Sequence, residues 1–229
     1  MPRPDPLSFL TVLQLADSAL PIGSLAHSFG LEALVYDGDL DTRVTHCPAA
    51  LTGYLEDALA EWLLLDAVYC REAHTLAFGS RAIDDLNQRL SALRLARESR
   101  DASLTLGRRF AALAASLDRN PALTGLAMSE ELHHSIAFGY TFGILEVDAD
   151  LTVSAFLHQS ILNIVSAAQR LLPLGQHLAN RIVWGMKPAI LDTMERTRSI
   201  SVAGVRAFSH LSETASMRHS FLPTRLFIS

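Results

Sequence analysis

Apolar residues recur at three- and four-residue spacing along most of this 229-residue chain, with polar residues between them. This spacing indicates helices that each bury one face. The alternation of apolar and polar residues that would indicate strands is not sustained in any segment. We therefore expect an all-α protein, a single domain over residues 1–229, built from about eight to ten helices in an orthogonal or bundle-like array.

The segment 13–32, LQLADSALPIGSLAHSFGLE, contains the sharpest break in this pattern. A first helix, over about 9–19, must end before Pro21, because proline cannot continue it. Gly23 permits a turn, and Ser24 is a plausible N-cap for a second helix over about 24–36. On that helix, polar side chains would line one surface. The alternative is a buried helix–turn–helix whose small residues let helices approach closely.

Two later segments predict long helices. The first opens at Ser129 and carries Gly139 and Gly143 four residues apart, which leaves one side bare so that another helix can pack close. The second begins after Asp150 as a cap and continues with an apolar stripe. Residues 151–169 lack a formal charge, yet eight polar side chains make this segment too polar for a lipid-facing span. We expect a buried or interface helix and no membrane association.

The two ends of the chain should differ from the core. Residues 1–7 contain three prolines and predict a flexible arm. Residues 213–229 lose helical periodicity but keep large apolar side chains, which predicts a partly extended tail. A tail this apolar should not stay in solvent. It either docks to a partner or folds back on its own domain, and the sequence leaves both open.

The net charge of −5 conceals an asymmetry along the chain. Residues 1–66 hold two arginines against ten acidic residues, whereas residues 151–229 hold eight basic residues against three acidic ones. The asymmetry either marks interaction faces of opposite sign or has no role. An acidic chain without a basic run argues against nucleic-acid binding. Two cysteines without a CxxC pair, and no signal-peptide pattern, favour the cytoplasm.

Catalytic and metal-binding motifs are missing from the sequence. It has no GxxxxGK[ST] phosphate loop, no GxSxG elbow, no HExxH pair and no paired Cys/His zinc pattern. The nine histidines are isolated or, at His133 and His134, point apart on a helix, so we predict no metal ligand. A small helical enzyme using His27 and Glu32 as an acid–base pair is the competing hypothesis. Their five-residue offset aligns them poorly on one helix face.

Three stretches carry polar residues suited to recognising a partner. They are the Pro-Gly turn at 21–23 with the residues after it, the PLGQ turn at 173–176 and the tail at 213–229. For each, a purely structural role is the alternative. A Gln at a helix start, for example, could merely cap the helix. The candidate partner-binding residues are Pro21, Gly23, His27, Ser28, Gly30, Glu32, Pro173, Gly175, Gln176, Arg218, His219 and Arg225.

The amino-acid sequences of these stretches resemble those of one known family. ADSALPIGSLAHSFGLE, RLLPLGQ at 170–176 and ASMRHSFLPTRLFIS at 215–229 are similar, in the same order, to segments of UreF, the urease accessory protein family. Together they span nearly the whole chain. Besides the small helical enzyme, an unrelated helical scaffold protein is the other alternative to this family.

The resemblance implies a non-enzymatic, chaperone-like adaptor in assembly of the nickel centre of urease. Family members dimerise, bind the accessory protein UreD (also called UreH), recruit the GTPase UreG and act on apo-urease. Nickel and GTP are handled by the assembled complex, so no cofactor is expected on this chain. The family is also implicated in regulating GTP hydrolysis by UreG, for which Arg225 is a candidate.

Overall fold

A computed structural model describes residues 5–79, 82–205 and 210–228. Across these ranges all regular elements are helical, which confirms the all-α prediction. The described residues form twelve α-helices, slightly more than the eight to ten expected. The α-helices are α1 Pro6–Leu15, α2 Leu31–Asp37, α3 Cys47–Ala60, α4 Trp62–Ala77, α5 Asp84–Leu93, α6 Arg97–Leu117, α7 Pro121–Ala127, α8 His134–Ile144, α9 Ala149–Leu171, α10 Gln176–Gly185, α11 Lys187–Arg196 and α12 His210–His219; a 3-10 helix spans Ser24–Ala26.

Helices α4 and α8 form the tightest contact of the core. A methyl group at Gly139 would lie 2.0 Å from the carbonyl oxygen of Cys70, and one at Gly143 would lie 2.6 Å from that of His74. Such distances are far inside van der Waals contact, so only glycine allows the two helix backbones to approach this closely. The predicted close packing along the glycine side of α8 is confirmed, and α4 is the partner helix.

Helix α9 lies against α4, α8, α10 and α11 and buries its predicted apolar stripe. It is the one helix of the described ranges that is long and apolar enough to cross a membrane by length and composition, and most of it is buried inside the fold. Its cap is Asp148, whose side chain accepts a hydrogen bond from the Leu151 amide, and not Asp150 as predicted. Asp150 instead binds Arg71 and Arg198.

The predicted single helix over 24–36 is wrong. The 3-10 helix ends at Ala26, and α2 begins only at Leu31. Between them Phe29 and Gly30 adopt positive φ angles of 54° and 85°, which interrupt any right-handed helix. Tyr54 lies on α3, and its hydroxyl donates a hydrogen bond to the Phe29 carbonyl oxygen at 2.8 Å. This contact fixes the break between the two helices.

Three other boundaries differ from prediction. Helix α1 begins at Pro6, inside the expected arm, because the Asp5 side chain accepts from the Ser8 amide; residues 1–4 lie outside the described residues. Helix α8 begins at His134 instead of Ser129, with the His133 amide donating to Asn87 Oδ1. The predicted tail opens with part of α12, and its later residues are non-helical.

Candidate partner-binding site

An arginine of α6 binds the backbone of the Pro-Gly turn. Arg109 Nη1 donates to the Ile22 carbonyl oxygen at 3.2 Å, and a methyl group at Gly23 would lie 2.7 Å from the same nitrogen. Gly23 has a φ of +87°, which other residues rarely adopt. Pro21 is exposed beside it. The backbone conformation of the turn is therefore fixed, and Pro21 and Leu25 face solvent.

The polar side chains after this turn lie in the interior, contrary to the surface position that a continuous helix predicted. Ser24, His27, Ser28 and Glu32 are each at most 6% exposed. Burial, followed by the charges of Arg109 and His219, lowers the pKa of His27 to about 4. His27 is therefore a neutral, buried side chain near pH 7.

Glu32 joins the start of α2 to the C-terminal segment. Its carboxylate accepts from His219 Nε2 at 2.7 Å, from the Leu226 amide at 2.6 Å and from the Phe227 amide at 3.3 Å. The Glu32 and His219 side chains are 7% and 1% exposed. A buried carboxylate is stable in this position because three donors replace its lost hydration. The tail is thus folded back on its own chain.

A second, more exposed contact holds α12 to the end of α2 and the loop after it. Arg218 Nη1 and Nη2 each lie 3.0 Å from a carboxylate oxygen, of Asp37 and of Asp39 respectively. These residues belong to the acidic N-terminal and basic C-terminal parts of the chain. Some of the opposite charges at the two ends of the chain therefore pair with each other within the molecule.

Arg170 connects all three stretches that carry the family resemblance. It lies on the last turn of α9, three residues before Pro173, and its Nη1 donates to the Leu25 carbonyl oxygen at 2.9 Å. Its guanidinium carbon lies 4.7 Å from the centre of the Phe227 ring. The Ile228 amide also donates to the Ala26 carbonyl oxygen at 2.8 Å. We call this meeting point of turn, α9 and tail the junction.

The PLGQ turn lies just beyond the junction and faces solvent. Pro173, Gly175 and Gln176 are all exposed. Gln176 is the first residue of α10, and its side-chain oxygen accepts from Gln169 Nε2 at 2.8 Å. The turn is therefore accessible from solvent.

The outer edge of the junction is apolar. Leu25, Leu226 and Ile228 are 39%, 67% and 70% exposed and line an open groove of about 470 Å³ together with Arg170. Arg225 is exposed next to this edge. Clustered exposed apolar side chains bordered by arginines are typical of protein–protein interaction surfaces.

The same geometry bears on the competing hypotheses. Glu32 pairs with His219 and two tail amides, so the structure gives it a structural partner other than His27. The described part of the chain contains no group of three or more His, Cys, Asp or Glu side chains that could hold a metal ion.

Sequence reasoning missed Arg170 and Arg109, which bind the Pro-Gly turn and the residues just after it, and Tyr54, which binds the break at Phe29. Arg170 stands inside the quoted RLLPLGQ stretch, but an arginine at the end of a helix is ordinary, because it complements the helix dipole. Arg109 reaches the turn, and Tyr54 reaches the break at Phe29, from other helices of the fold. No local pattern marks such contacts.

Comparison with known proteins shows which family the sequence belongs to. The sequence profile of the UreF family matches residues 45–187. The urease accessory protein UreF of Actinobacillus pleuropneumoniae serotype 5b is 30% identical over 95% of this chain and 97% of its own length. Those of Nostoc sp. and Bradyrhizobium sp. are 30% and 31% identical, covering 96% and 92% of this chain and 96% and 88% of their own lengths. The chain therefore belongs to the UreF family.

Proposed function

We propose that this protein is a cytoplasmic, chaperone-like adaptor that assembles the nickel centre of urease. It bridges UreD/UreH and the GTPase UreG and brings both to apo-urease, and it influences GTP hydrolysis by UreG. The protein itself carries out no chemical step. Nickel and GTP are handled by the assembled complex.

The convergence at the junction is the observation that carries this proposal. The turn, α9 and the tail meet through Arg170 and Glu32, and they leave an apolar edge with flanking arginines on the outside. A single surface made from three separate stretches suits docking of a folded partner, because one rigid patch orders little on binding. The relatives' shared name, urease accessory protein, favours urease maturation as the setting.

Capture of UreD/UreH by the immobilised full-length chain tests the role of this surface. Leu226→Asp should weaken capture at least tenfold, because a carboxylate replaces an apolar anchor on the edge. Leu117→Asp, at an exposed leucine on the last turn of α6, is the matched control and should capture normally. Equal capture by both variants would contradict docking at the junction.

The protein is also proposed to form a homodimer, as the family resemblance implies. The glycines of α8 do not support this, because Gly139 and Gly143 contact α4 of the same chain. Light scattering should give about twice the 25.0 kDa chain mass. A monomeric mass at micromolar concentration, without UreD/UreH, would contradict the dimer and leave the docking test unaffected.

A further inference from the structure

The break between the 3-10 helix and α2 has a strained backbone. Phe29 has a φ of 54° and Gly30 a φ of 85°. Glycine adopts such angles readily, but a bulky residue does so only where surrounding contacts impose them. Strained backbone of this kind occurs preferentially at segments that move or bind. We call Phe29 and Gly30 the hinge.

Two side chains from the helical core hold Phe29 in this conformation. The Tyr54 hydroxyl, on α3, donates to the Phe29 carbonyl oxygen at 2.8 Å. The Trp62 ring, at the start of α4, stacks on the Phe29 ring with centroids 5.7 Å apart and 17° between the ring planes. The core therefore imposes a conformation that a phenylalanine would not adopt by itself.

The end of the tail binds on both sides of the hinge. The Ile228 amide donates to the carbonyl oxygen of Ala26, three residues before the hinge. The Leu226 and Phe227 amides donate to the carboxylate of Glu32, two residues after it. One acceptor belongs to the 3-10 helix and the other to α2, and the hinge sets the distance between them. The tail can make all three bonds together only while the hinge keeps its strained conformation.

We propose that the hinge and the end of the tail form one conformational unit that opens and closes together and so controls the junction surface. Coupling of this kind is reciprocal, because a tail that favours the strained hinge must be favoured by it to the same extent. In the closed state Leu226 and Ile228 complete the apolar edge beside Leu25. In the open state the tail leaves Glu32 and Ala26, and the edge loses two of its three apolar side chains. The inference rests on the proposed function only in assigning this control to a docking surface.

Amide hydrogen exchange of the full-length chain, followed by NMR without any partner, tests the coupling. Tyr54→Phe removes the hydroxyl that holds the hinge but keeps the ring. Exchange at the Leu226, Phe227 and Ile228 amides should become about two- to tenfold faster, by a common factor, because a single opening exposes all three. Tyr36→Phe, at an exposed tyrosine of α2, is the matched control and should leave these rates unchanged.

A pair of substitutions at Phe29 tests the strain itself. Phe29→Gly and Phe29→Ala both lose the stack on Trp62, but only glycine adopts the left-handed backbone without strain. The three tail amides should exchange at least about threefold more slowly in the glycine variant than in the alanine variant. At positions with negative φ the order is the reverse, since glycine loses more conformational freedom on folding.

The opposite direction of the coupling is tested from the tail. Ile228→Pro removes the amide whose acceptor is Ala26. The Leu31 amide, which donates to the Ser28 carbonyl oxygen across the hinge at 3.1 Å, should then exchange faster. Amides in α4 and α8 report global unfolding and should keep their rates in each variant that folds normally.

Three results would overturn the coupling: unequal factors at the three tail amides in Tyr54→Phe, tail exchange in Phe29→Ala as slow as in Phe29→Gly, or an unchanged Leu31 amide in Ile228→Pro. If Tyr54→Phe does not fold, the other variants still decide the question. All of these measurements use the free chain. A negative result therefore leaves docking of UreD/UreH at the junction standing, and a failed capture experiment leaves the coupling standing.

Discussion

Glu32 is the residue on which the fold-back of the C-terminal segment depends most directly, because it accepts from His219 and from two backbone amides. Glu32→Ala leaves these donors without an acceptor, and we expect it to lower the free energy of unfolding by about 3 kcal/mol. Amide exchange at Leu226 and Phe227 should become fast in the variant while exchange in α4 and α8 stays slow.

Glu56→Ala is the matched control for this substitution. Glu56 is an exposed glutamate of α3, so its replacement should change the free energy of unfolding by at most about 0.5 kcal/mol. Protected Leu226 and Phe227 amides in Glu32→Ala would show that the tail is held by its apolar contacts alone.

Buried histidines make stability depend on pH. Burial lowers the pKa of His27 and His134 to about 4 and that of His133 to about 3, from an ordinary value of 6.5. The unfolded chain therefore binds more protons than the folded chain between about pH 4 and 6.5. Their stabilising effect is complete above pH 6.5 and is lost as the pH falls, by roughly 1 kcal/mol per pH unit for each histidine.

Urea unfolding measured between pH 7 and pH 5 checks this dependence. His133 lies within 3.0 Å of the hydroxyls of Ser91 and Ser103, and His133→Gln keeps a polar side chain there while removing one titrating group. We expect a shallower loss of stability on acidification. His177→Gln, at an exposed histidine of α10, should keep the original slope. Equal slopes in both variants would contradict a role for His133.

At this scale the sequence misleads where a polar residue has a distant partner. Glu32 and His27 stand five residues apart and suggest a polar surface, but Glu32 meets His219 from the other end of the chain, 187 residues away. No local rule distinguishes a buried pair of this kind from a solvated face. Glu32, His219 and Arg218 all make contacts that hold the C-terminal segment to α2 and the loop after it.

Among the elements, the α4–α8 contact gives the sharpest test of packing. In Gly139→Ala the new methyl group meets the Cys70 backbone at 2.0 Å, so the helices must separate and the core must repack. We expect a loss of about 3 kcal/mol or more in the free energy of unfolding.

Gly53→Ala in α3 is the matched control, since a methyl group there meets no atom within 4 Å. It should stabilise the chain by about 0.5–1 kcal/mol, because alanine is the better helix former. Urea denaturation compares both variants. A neutral Gly139→Ala would mean that α4 and α8 lie farther apart in solution.

The buried faces of helices were predictable from apolar periodicity and glycine spacing. Helix boundaries were less predictable where tertiary contacts determine them. The stripe of α9 and the glycine side of α8 follow from spacing alone. The break at Phe29 depends on Tyr54 of another helix, and the start of α8 depends on Asn87 of α5. Such contacts form only after the chain has folded, so boundary rules based on caps placed these breaks wrongly.

For the whole molecule, the sequence predicted the all-helical class and the family, but not the meeting of its three distinctive stretches. It left open whether the tail folds back or docks. The structure shows the first, and the second remains compatible with it, because the tail buries Leu222 and Phe227 while leaving Phe221, Leu226 and Ile228 exposed. The same segment can therefore complete its own fold and present a surface.

Truncation of the chain separates these two roles of the tail. Truncation after Ser212 removes most of α12 and the non-helical residues held by Glu32, but none of the contacts among α4, α8 and α9. Helical circular dichroism should fall only by the missing residues, whereas capture of UreD/UreH and UreG should be abolished. Loss of the entire helical signal would show that the tail is an essential part of the core and would contradict its role as a docking segment.

Point variants at Arg225 test docking without disturbing the fold, because this side chain is exposed. Arg225→Ala should weaken partner capture by about 1.5–3 kcal/mol, roughly 10- to 150-fold, if its guanidinium makes a charge-assisted hydrogen bond to the partner. Arg225→Lys should restore only part of the loss, because an ammonium cannot form a bidentate contact. Thermal unfolding should be unchanged in both. Full capture by Arg225→Ala would move the binding determinants to the apolar edge formed by Leu25, Leu226 and Ile228.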